Sequence, residues 1–528
     1  MKFKNIKYLS IALLAFAATS CEKVLDINDN PNSPTESTPQ LVLPQAVVAT
    51  ARQVPSFNTY GAQIVGYFAN GGGVSGWGSI ISYNFTTTNF NGLWSSSYDI
   101  LNDLKFVKDK TTDIDALKDF YFASEIFSVY NYLNLVDTYN EVPYSEALQG
   151  ASFLTPKYDK AEDIYKDLGD RLDAAIEFFK TNEISSQFAG ADILFNSSED
   201  DYELKDQSEN WAKFANTIKL RMLLKAKDKV AFTKTALDDI GFLTFDAIVN
   251  PGFAKDDGKQ NPMWNSWAYN FAGTAVGAAS QYAITPYIRG YYDGSKISDV
   301  GRANLTYKTG ITIPVNQLGY QQSDAGRGQA PSSWFRGTNA TNYEGKGILK
   351  GPTAGQPIML ASESYFLQAE AALKGLIAGS VNTLFESGIK ASYIYLNINE
   401  NDDIVTSANP DTYLAGYKTT NVNSRLVNID LATTTEQRLE AIITQKYIAA
   451  NMLFGHESWN EYRRTGYPVN VGVPSVANRA VNFVSITSEA TAADKLPTRI
   501  LYPNTEFNYN QANVPTIDKY TSKIFWAK

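Results

Sequence analysis

The chain contains only one cysteine and one histidine in 528 residues. The cysteine is Cys21, and a single thiol cannot form a disulfide within the chain, so packing must stabilise the fold. The histidine is His456, which excludes a zinc or iron site built from several histidines and leaves little room for a His-based catalytic triad. We interpret His456 as a histidine that is hydrogen-bonded within a turn at a helix end. We therefore predict no catalytic residue, no metal and no cofactor.

The chain also lacks long apolar runs and an excess of positive charge. Its first apolar run, Leu9 to Ala18, has ten residues, which is about half of the roughly 20 that a membrane-spanning helix needs. No later run reaches that length. Lys and Arg total 46 against 55 Asp and Glu, which gives a formal net charge of −9. An acidic chain without a basic cluster argues against nucleic acid binding and against peripheral binding to anionic lipids.

The N-terminus carries the pattern of a lipoprotein leader. Three lysines within the first seven residues precede the apolar run, and Ala18-Thr19-Ser20-Cys21 follows it. A positive region, a short apolar region and small residues at a cleavage site are typical of a secretory signal peptide. We predict a signal peptide over residues 1–20 and acylation of Cys21, in preference to an ordinary signal peptide with a chance cysteine. Residues 21–40 are polar and contain prolines, so they are predicted to be a lipidated tether to a bacterial membrane.

Apolar residues recur at helical spacing through much of the rest of the chain. The clearest stretch is residues 158–180, where Asp159 and Glu162 would cap the start of the helix. Residues 357–377 carry alanines among large side chains, and small residues allow two helices to approach closely. Residues 381–396 would supply the partner helix.

This pattern predicts a mainly α protein with a tetratricopeptide-like scaffold of helical hairpins. No linker rich in Pro, Ser and Gly divides the chain, so we predict a single domain over residues 41–528. Two stretches, residues 70–92 and residues 250–356, lack the helical period and are rich in glycine and aromatic residues. Long irregular segments are usually functional or disordered, and many large aromatics argue against disorder. We therefore predict an irregular, loop-rich second lobe at about 250–356.

Large aromatic side chains in these irregular stretches are the candidate ligand contacts. Exposed apolar patches risk aggregation unless they serve an interface, and Tyr and Trp lose little conformational entropy on binding. Core packing is the alternative for each ring. Arg289, Asn265, Asn270 and Gln281 lie nearby in sequence and could supply hydrogen bonds. The predicted ligand-binding residues are Trp77, Trp264, Trp267, Tyr291, Tyr292 and Trp334.

Several short motifs occur along the chain in an order that is typical of one family. They include Asp26-Ile27-Asn28-Asp29-Asn30-Pro31, Val142-Pro143-Tyr144, Tyr365-Phe366-Leu367-Gln368-Ala369-Glu370, Trp459-Asn460-Glu461-Tyr462-Arg463-Arg464-Thr465-Gly466 and Pro497-Thr498-Arg499. Together with the lipoprotein leader, these motifs resemble the SusD/RagB family of outer-membrane lipoproteins, in its SusD-like branch. The resemblance covers essentially the whole mature chain. Most of the motifs lie on predicted scaffold helices, so they do not reveal the ligand.

The resemblance implies a scaffold of four tetratricopeptide-like helix pairs with an irregular second lobe. It implies a lipid-anchored outer-membrane protein, exposed at the cell surface, that captures a nutrient and delivers it to a SusC-like TonB-dependent transporter. The expected nutrient is an oligosaccharide, and a peptide is the alternative within the family.

The residues alone do not exclude two other classes of protein. One is a surface glycosidase, which needs two carboxylates about 5–10 Å apart. Asp256 and Asp257 are adjacent in a predicted loop, so we interpret them as solvated side chains and not as a catalytic pair. The other is a structural or adhesive surface protein. We predict a binding protein that is not an enzyme.

Overall fold

The computed structural model describes residues 37–71, 77–196, 203–277, 281–320, 332–401 and 408–528. The predicted signal peptide and Cys21 lie outside the described residues, as does most of the predicted tether. The first helix begins at Pro39, close to the predicted domain start at residue 41. None of the helices in the described ranges is long and apolar enough to cross a membrane.

Fifteen α-helices are present in the described part of the chain. They are α1 (Pro39–Ile64), α2 (Asn91–Thr111), α3 (Lys118–Tyr139), α4 (Ala161–Thr181), α5 (Ser186–Ala189), α6 (Leu204–Ala226), α7 (Pro262–Trp267), α8 (Pro286–Arg289), α9 (Val300–Thr306), α10 (Ala361–Leu373), α11 (Val381–Asn397), α12 (Pro410–Thr420), α13 (Thr435–Ala449), α14 (Gly455–Thr465) and α15 (Asn504–Tyr509).

The eight strands among the described residues are short and form two-stranded antiparallel sheets. They are β1 (Phe68–Asn70), β2 (Val142–Pro143), β3 (Tyr158–Asp159), β4 (Ala247–Val249), β5 (Tyr282–Ile284), β6 (Gly337–Asn339), β7 (Asn342–Tyr343) and β8 (Gln356–Met359). The pairs are β1 with β5, β2 with β3, β4 with β8, and β6 with β7. The first pair joins the end of α1 to the second lobe, with Phe68 opposite Ile284.

The long helices pack mainly on their neighbours along the chain. Helices α1 to α4 pack in succession, α6 packs on α4, and α10 packs on α11 and α13. Helix α14 returns from the C-terminal part of the chain to pack on α1. This arrangement confirms the predicted mainly α, tetratricopeptide-like scaffold.

Helix α4 shows how the sequence pattern produces this packing. Its buried face includes Ile164, Leu168, Leu172 and Ile176, which repeat every four residues and so form one stripe along the helix. The predicted helix is confirmed, but the predicted capping pair is wrong. Asp159 lies in β3 and accepts hydrogen bonds from the backbone N–H groups of neighbouring residues 144 and 145, because the chain pairs with β2 before the helix begins.

The predicted helix at residues 357–377 is shorter than expected. Residues up to Met359 form β8, which pairs with β4, and α10 begins at Ala361. The predicted partner helix at 381–396 is confirmed as α11. Gly388 of α11 allows close packing, because a Cβ atom there would lie 2.6 Å from the ring of Phe366 on α10.

Buried ion pairs, in addition to apolar contacts, hold the scaffold helices together. Lys225 Nζ lies 2.7 Å from Asp137 Oδ2 and 2.9 Å from Glu457 Oε2. Arg464 binds Glu370 through two contacts of 2.5 and 2.6 Å. We call the whole set the interhelical ion cluster; its members are Asp137, Arg221, Lys225, Glu363, Glu370, Lys446, Glu457, Glu461 and Arg464. These residues come from α3, α6, α10, α13 and α14, so the cluster joins five helices.

His456 adjoins this cluster in the first turn of α14. It is buried, and neither ring nitrogen has a hydrogen-bond partner among the described residues. The prediction that the His456 side chain is hydrogen-bonded within a turn is therefore wrong. Burial lowers the pKa of His456 to about 4. The ring is therefore neutral at pH 7 and packs as an apolar group against Phe57, at 5.4 Å between ring centroids.

Candidate ligand-binding surface

The structure buries all six aromatic residues that the sequence indicates as ligand contacts. Their exposed fractions lie between 1% and 8%. Burial does not fit the expectation that these rings face a ligand at the surface. The physical reason is that the second lobe contains few long helices, so its large rings must supply the core that helix stripes supply in the scaffold. The six residues also fall into separate groups.

The first group is the lobe aromatic core beside the β1–β5 pair. Trp267 packs edge-on against Phe68 at 5.3 Å and against Trp334 at 5.4 Å between ring centroids. Trp77 packs edge-on against Tyr282 at 5.1 Å. Edge-to-face pairs at these distances are favourable beyond the area they bury. The core therefore fixes the orientation of its rings.

Trp264 belongs to a second group, deeper in the lobe. Its ring lies 4.7 Å from Tyr343 and 5.5 Å from Phe335. Trp264 is held there by the start of α7, where its backbone N–H donates to the Asn261 side chain at 3.0 Å. This placement makes Trp264 part of the packing between α7 and the β6–β7 hairpin.

Tyr291 and Tyr292 lie at one of the contacts between the lobe and the scaffold. The Tyr292 hydroxyl accepts a hydrogen bond from Asn451 at 3.0 Å. The face of Tyr291 is covered by Lys296, whose Nζ lies 4.2 Å from the ring centroid and 3.2 Å from that of Tyr287. Burial lowers the pKa of Lys296 to about 6, although the two rings favour its charged form.

The four polar residues proposed as hydrogen-bond donors or acceptors differ in availability. Arg289 pairs with Asp293 at 3.1 Å, and the Asn270 side chain accepts the Thr274 N–H at 2.9 Å. Asn265 and Gln281 are exposed. Two of the four are therefore occupied by neighbouring residues, and two face solvent.

Two aromatic residues that sequence reasoning did not select lie at the lobe surface. Tyr282 is partly exposed and stacks on Trp267, with 4.5 Å between centroids and 29° between planes. Phe271 is 49% exposed, beside a short antiparallel bridge between Tyr269 and Ala275. The sequence carries no periodic signal for Tyr282, because Ala283 and Ile284 are both buried and the strand does not alternate. We call Asn265, Phe271, Gln281 and Tyr282 the lobe surface.

The side chains of these four residues have the chemistry that a ring-shaped, hydroxylated ligand requires. Tyr282 offers a ring face supported from behind, and Asn265 and Gln281 offer amide donors and acceptors. In the described ranges, no group of three or more His, Cys, Asp or Glu residues could hold a metal ion.

Solved structures of other proteins share this fold over almost the whole chain. A SusD homologue from Bacteroides fragilis aligns with 19% identity and a TM-score of 0.63, covering 93% of this chain and 100% of that one. A SusD homologue from Bacteroides uniformis aligns with 21% identity and a TM-score of 0.62, covering 92% and 99%. A chitin-binding SusD homologue from Flavobacterium johnsoniae aligns with 21% identity and a TM-score of 0.61, covering 90% and 98%.

No curated protein sequence matches the chain. The family model for SusD-like proteins, described as Susd and RagB outer membrane lipoprotein, matches residues 32–526. That range contains both the helical scaffold and the loop-rich lobe. The chain therefore belongs to the SusD-like family of outer-membrane lipoproteins.

Proposed function

We propose that this protein binds an oligosaccharide at the cell surface and delivers it to a SusC-like TonB-dependent outer-membrane transporter, without catalysing any reaction on it. Membership of the SusD-like family supports a role in nutrient binding. The chitin-binding homologue with the same fold supports a carbohydrate in preference to a peptide. A lipid on Cys21 would hold the protein at the outer membrane.

The observation that carries the choice of surface is the stacking of partly exposed Tyr282 on buried Trp267. A sugar ring binds an aromatic face best when that face is already fixed, because little side-chain entropy is then lost. In this proposal Trp77 and Trp267 hold the ring of Tyr282 in place, Trp334 packs on Trp267, and the ligand contacts the lobe surface. Trp264, Tyr291 and Tyr292 stabilise the lobe around it.

Binding is tested on the full-length lipoprotein in detergent, with a panel of neutral and acidic glycans and a panel of peptides. Turnover of each ligand is scored in parallel. Tyr282→Ala should weaken binding of the identified glycan by about 2 kcal/mol, or roughly 30-fold. Tyr509→Ala is the matched control, because Tyr509 is 78% exposed on α15, outside the lobe. Wild-type affinity in a folded Tyr282→Ala protein would contradict the choice of surface, and peptide binding or turnover would contradict the ligand class or the binding role.

The transporter is tested by purifying the protein from outer membranes in mild detergent. A binder without a channel cannot move its ligand inward, so a large β-barrel protein should purify with it. Deletion should also abolish growth on the glycan identified above. Purification of the protein alone, together with unchanged growth after deletion, would contradict the delivery role and leave the binding role standing.

A further inference from the structure

Arg499 is a buried cation whose guanidinium has few partners in the fold. It is 2% exposed and lies in the C-terminal segment, by which we mean residues 466–528. Its Nη1 lies 3.5 Å from Glu141 Oε2, but its Nε and Nη2 have no hydrogen-bond partner among the described residues. Glu141 is itself partly exposed, so water weakens this ion pair. A guanidinium offers five N–H donors, and donors buried without acceptors are costly.

A second buried cation, Arg463 of α14, lies near Arg499. Burial lowers the pKa of Arg463, and the charge of the Arg499 guanidinium also lowers it. No carboxylate of the described residues lies within 4.0 Å of the Arg463 nitrogens. Its guanidinium already donates to two backbone carbonyls and to the Asn460 side chain. Arg463 therefore adds positive charge to the region but does not itself hold a ligand.

Two neutral donors belong to the same region. The side chains of Tyr60 and Trp459 are each 1% exposed, and neither the Tyr60 hydroxyl nor Trp459 Nε1 makes a hydrogen bond of normal geometry with a described residue. Burial raises the pKa of Tyr60, whereas Arg463, Trp459 and Arg499 lower it, so these groups are neighbours. Helix α1, helix α14 and the C-terminal segment thus each bring a donor to this region.

The charges of this region do not balance within the chain. Two buried guanidiniums share one ion pair, and its carboxylate is the partly exposed Glu141 at 3.5 Å. Burying a charge is costly unless an opposite charge compensates it. A water molecule can accept hydrogen bonds from the free donors, but it does not neutralise the excess charge. An anion does both.

The enclosure of Arg499 limits the size of such an anion. Its guanidinium carbon lies 4.9 Å from the ring centroid of Tyr502, and Tyr502 stacks on Tyr139, with 6.0 Å between centroids and 14° between planes. All three side chains are closed to solvent. An organic acid with an extended body cannot reach donors that are enclosed in this way, whereas a monatomic ion can be enclosed as the chain folds.

We propose that a buried monovalent anion of the size of chloride binds beside Arg499, held by the free N–H groups of its guanidinium with the Tyr60 hydroxyl as a neighbouring donor. The anion would compensate the charge of the two arginines. It would also fasten the C-terminal segment to α1, because Arg499 and Tyr60 lie on these two parts of the chain.

The test is thermal melting of the full-length lipoprotein in detergent, in sodium chloride and in sodium gluconate at equal ionic strength. Gluconate is too large for an enclosed site, so it controls for screening of surface charges. An anion that binds only the folded protein stabilises it in a saturable manner. The melting temperature should be at least about 2 °C higher in chloride. Crystals grown in bromide should show an anomalous peak within hydrogen-bond distance of Arg499 Nε or Nη2.

Three variants make the result specific to this site. Arg499→Met removes the charge and its donors, and its melting temperature should be equal in the two salts. Arg425→Met is the matched control, because Arg425 is 43% exposed in its pair with Glu440, and it should keep the full chloride effect. Tyr60→Phe retains both guanidiniums and should raise the chloride concentration for half-maximal stabilisation at least about threefold.

Tyr60→Phe also decides the matter if Arg499→Met does not fold. Equal melting of the wild type in chloride and gluconate would overturn the proposal. So would an ordered water without anomalous signal beside Arg499, or a chloride effect that persists unchanged in Arg499→Met or Tyr60→Phe. None of these results would bear on glycan binding at the lobe surface.

Discussion

Gly61 of α1 and Gly455 of α14 bring two helix backbones into direct contact. A Cβ atom on Gly61 would lie 2.2 Å from the carbonyl carbon of Gly455, and one on Gly455 would lie 2.5 Å from the backbone nitrogen of Ala62. Asn58 fixes the contact, because its side chain accepts the Gly455 N–H at 2.9 Å and donates to the Met452 carbonyl at 3.0 Å. This crossing joins the first and last long helices of the scaffold.

Gly61→Ala should therefore be strongly destabilising. The helices would have to separate, and overpacking of this kind costs about 1–3 kcal/mol or more. Gly416→Ala is the control, because Gly416 lies within α12 with no atom within 4 Å of its Cβ position. It should be neutral or stabilising by up to about 1 kcal/mol. Chemical denaturation measures both, and equal effects would show that the helices do not meet at these glycines.

We expect the removal of one partner from the interhelical ion cluster to lower the free energy of unfolding strongly. Burial raises the pKa of Glu370, but the Arg464 guanidinium outweighs burial and holds the pKa below its usual value. Arg464→Met should cost about 3–5 kcal/mol of unfolding free energy, because it leaves buried carboxylates without their partner. Lys390→Met, which breaks a solvent-exposed pair with Asp411, should cost less than about 1 kcal/mol. Similar costs for the two variants would contradict the burial of the cluster.

His456 predicts a specific pH dependence of stability. Its pKa is about 4 in the folded protein against an ordinary 6.5, so the unfolded chain binds the proton more tightly. The resulting loss of stability is absent above pH 6.5, grows as the pH falls toward 4, and reaches about 3 kcal/mol below that. His456→Gln should flatten the fall in unfolding free energy over this window. Ligand affinity at pH 7 should stay within a few-fold, and loss of binding without unfolding would reveal a role that we have not assigned.

Truncation of a buried ring of the lobe should lower the stability of the fold, and any loss of ligand affinity should follow from that. Trp267→Ala removes a ring that touches Phe68, Tyr282 and Trp334, and truncation of a buried Trp costs about 3–5 kcal/mol. Phe271→Ala should leave stability within about 0.5 kcal/mol, since the ring is half exposed. Thermal melting compares them, and an unchanged melting temperature for Trp267→Ala would support direct exposure of that ring to ligand.

Cys21→Ala tests the lipid anchor. The variant should no longer incorporate labelled fatty acid and should be lost from the outer membrane, because Cys21 is the only cysteine of the chain. Membrane fractionation with metabolic labelling measures both. Unchanged labelling would contradict the lipoprotein leader.

Local patterns in the sequence determined much of the scaffold. Helices α4 and α11 follow from periodic apolar residues, and the order of the motifs indicated the family that the family model confirms. The leader pattern around Cys21 is also local, and lipidation stays a prediction. Periodicity succeeds here because a helix repeats every few residues, so neighbours in sequence carry the whole signal.

Only the tertiary structure decided which aromatic rings are buried and where charges meet. Trp267 and Tyr282 stand in the same irregular stretch and both pack on Phe68, yet Trp267 is core and Tyr282 reaches the surface. Trp267 also packs on Trp334, far along the chain, and such contacts decide burial. Lys225 and Glu457 are likewise 232 positions apart. Such pairs have no periodic signature, since their proximity arises from how the helices pack and not from the spacing of residues within any one of them.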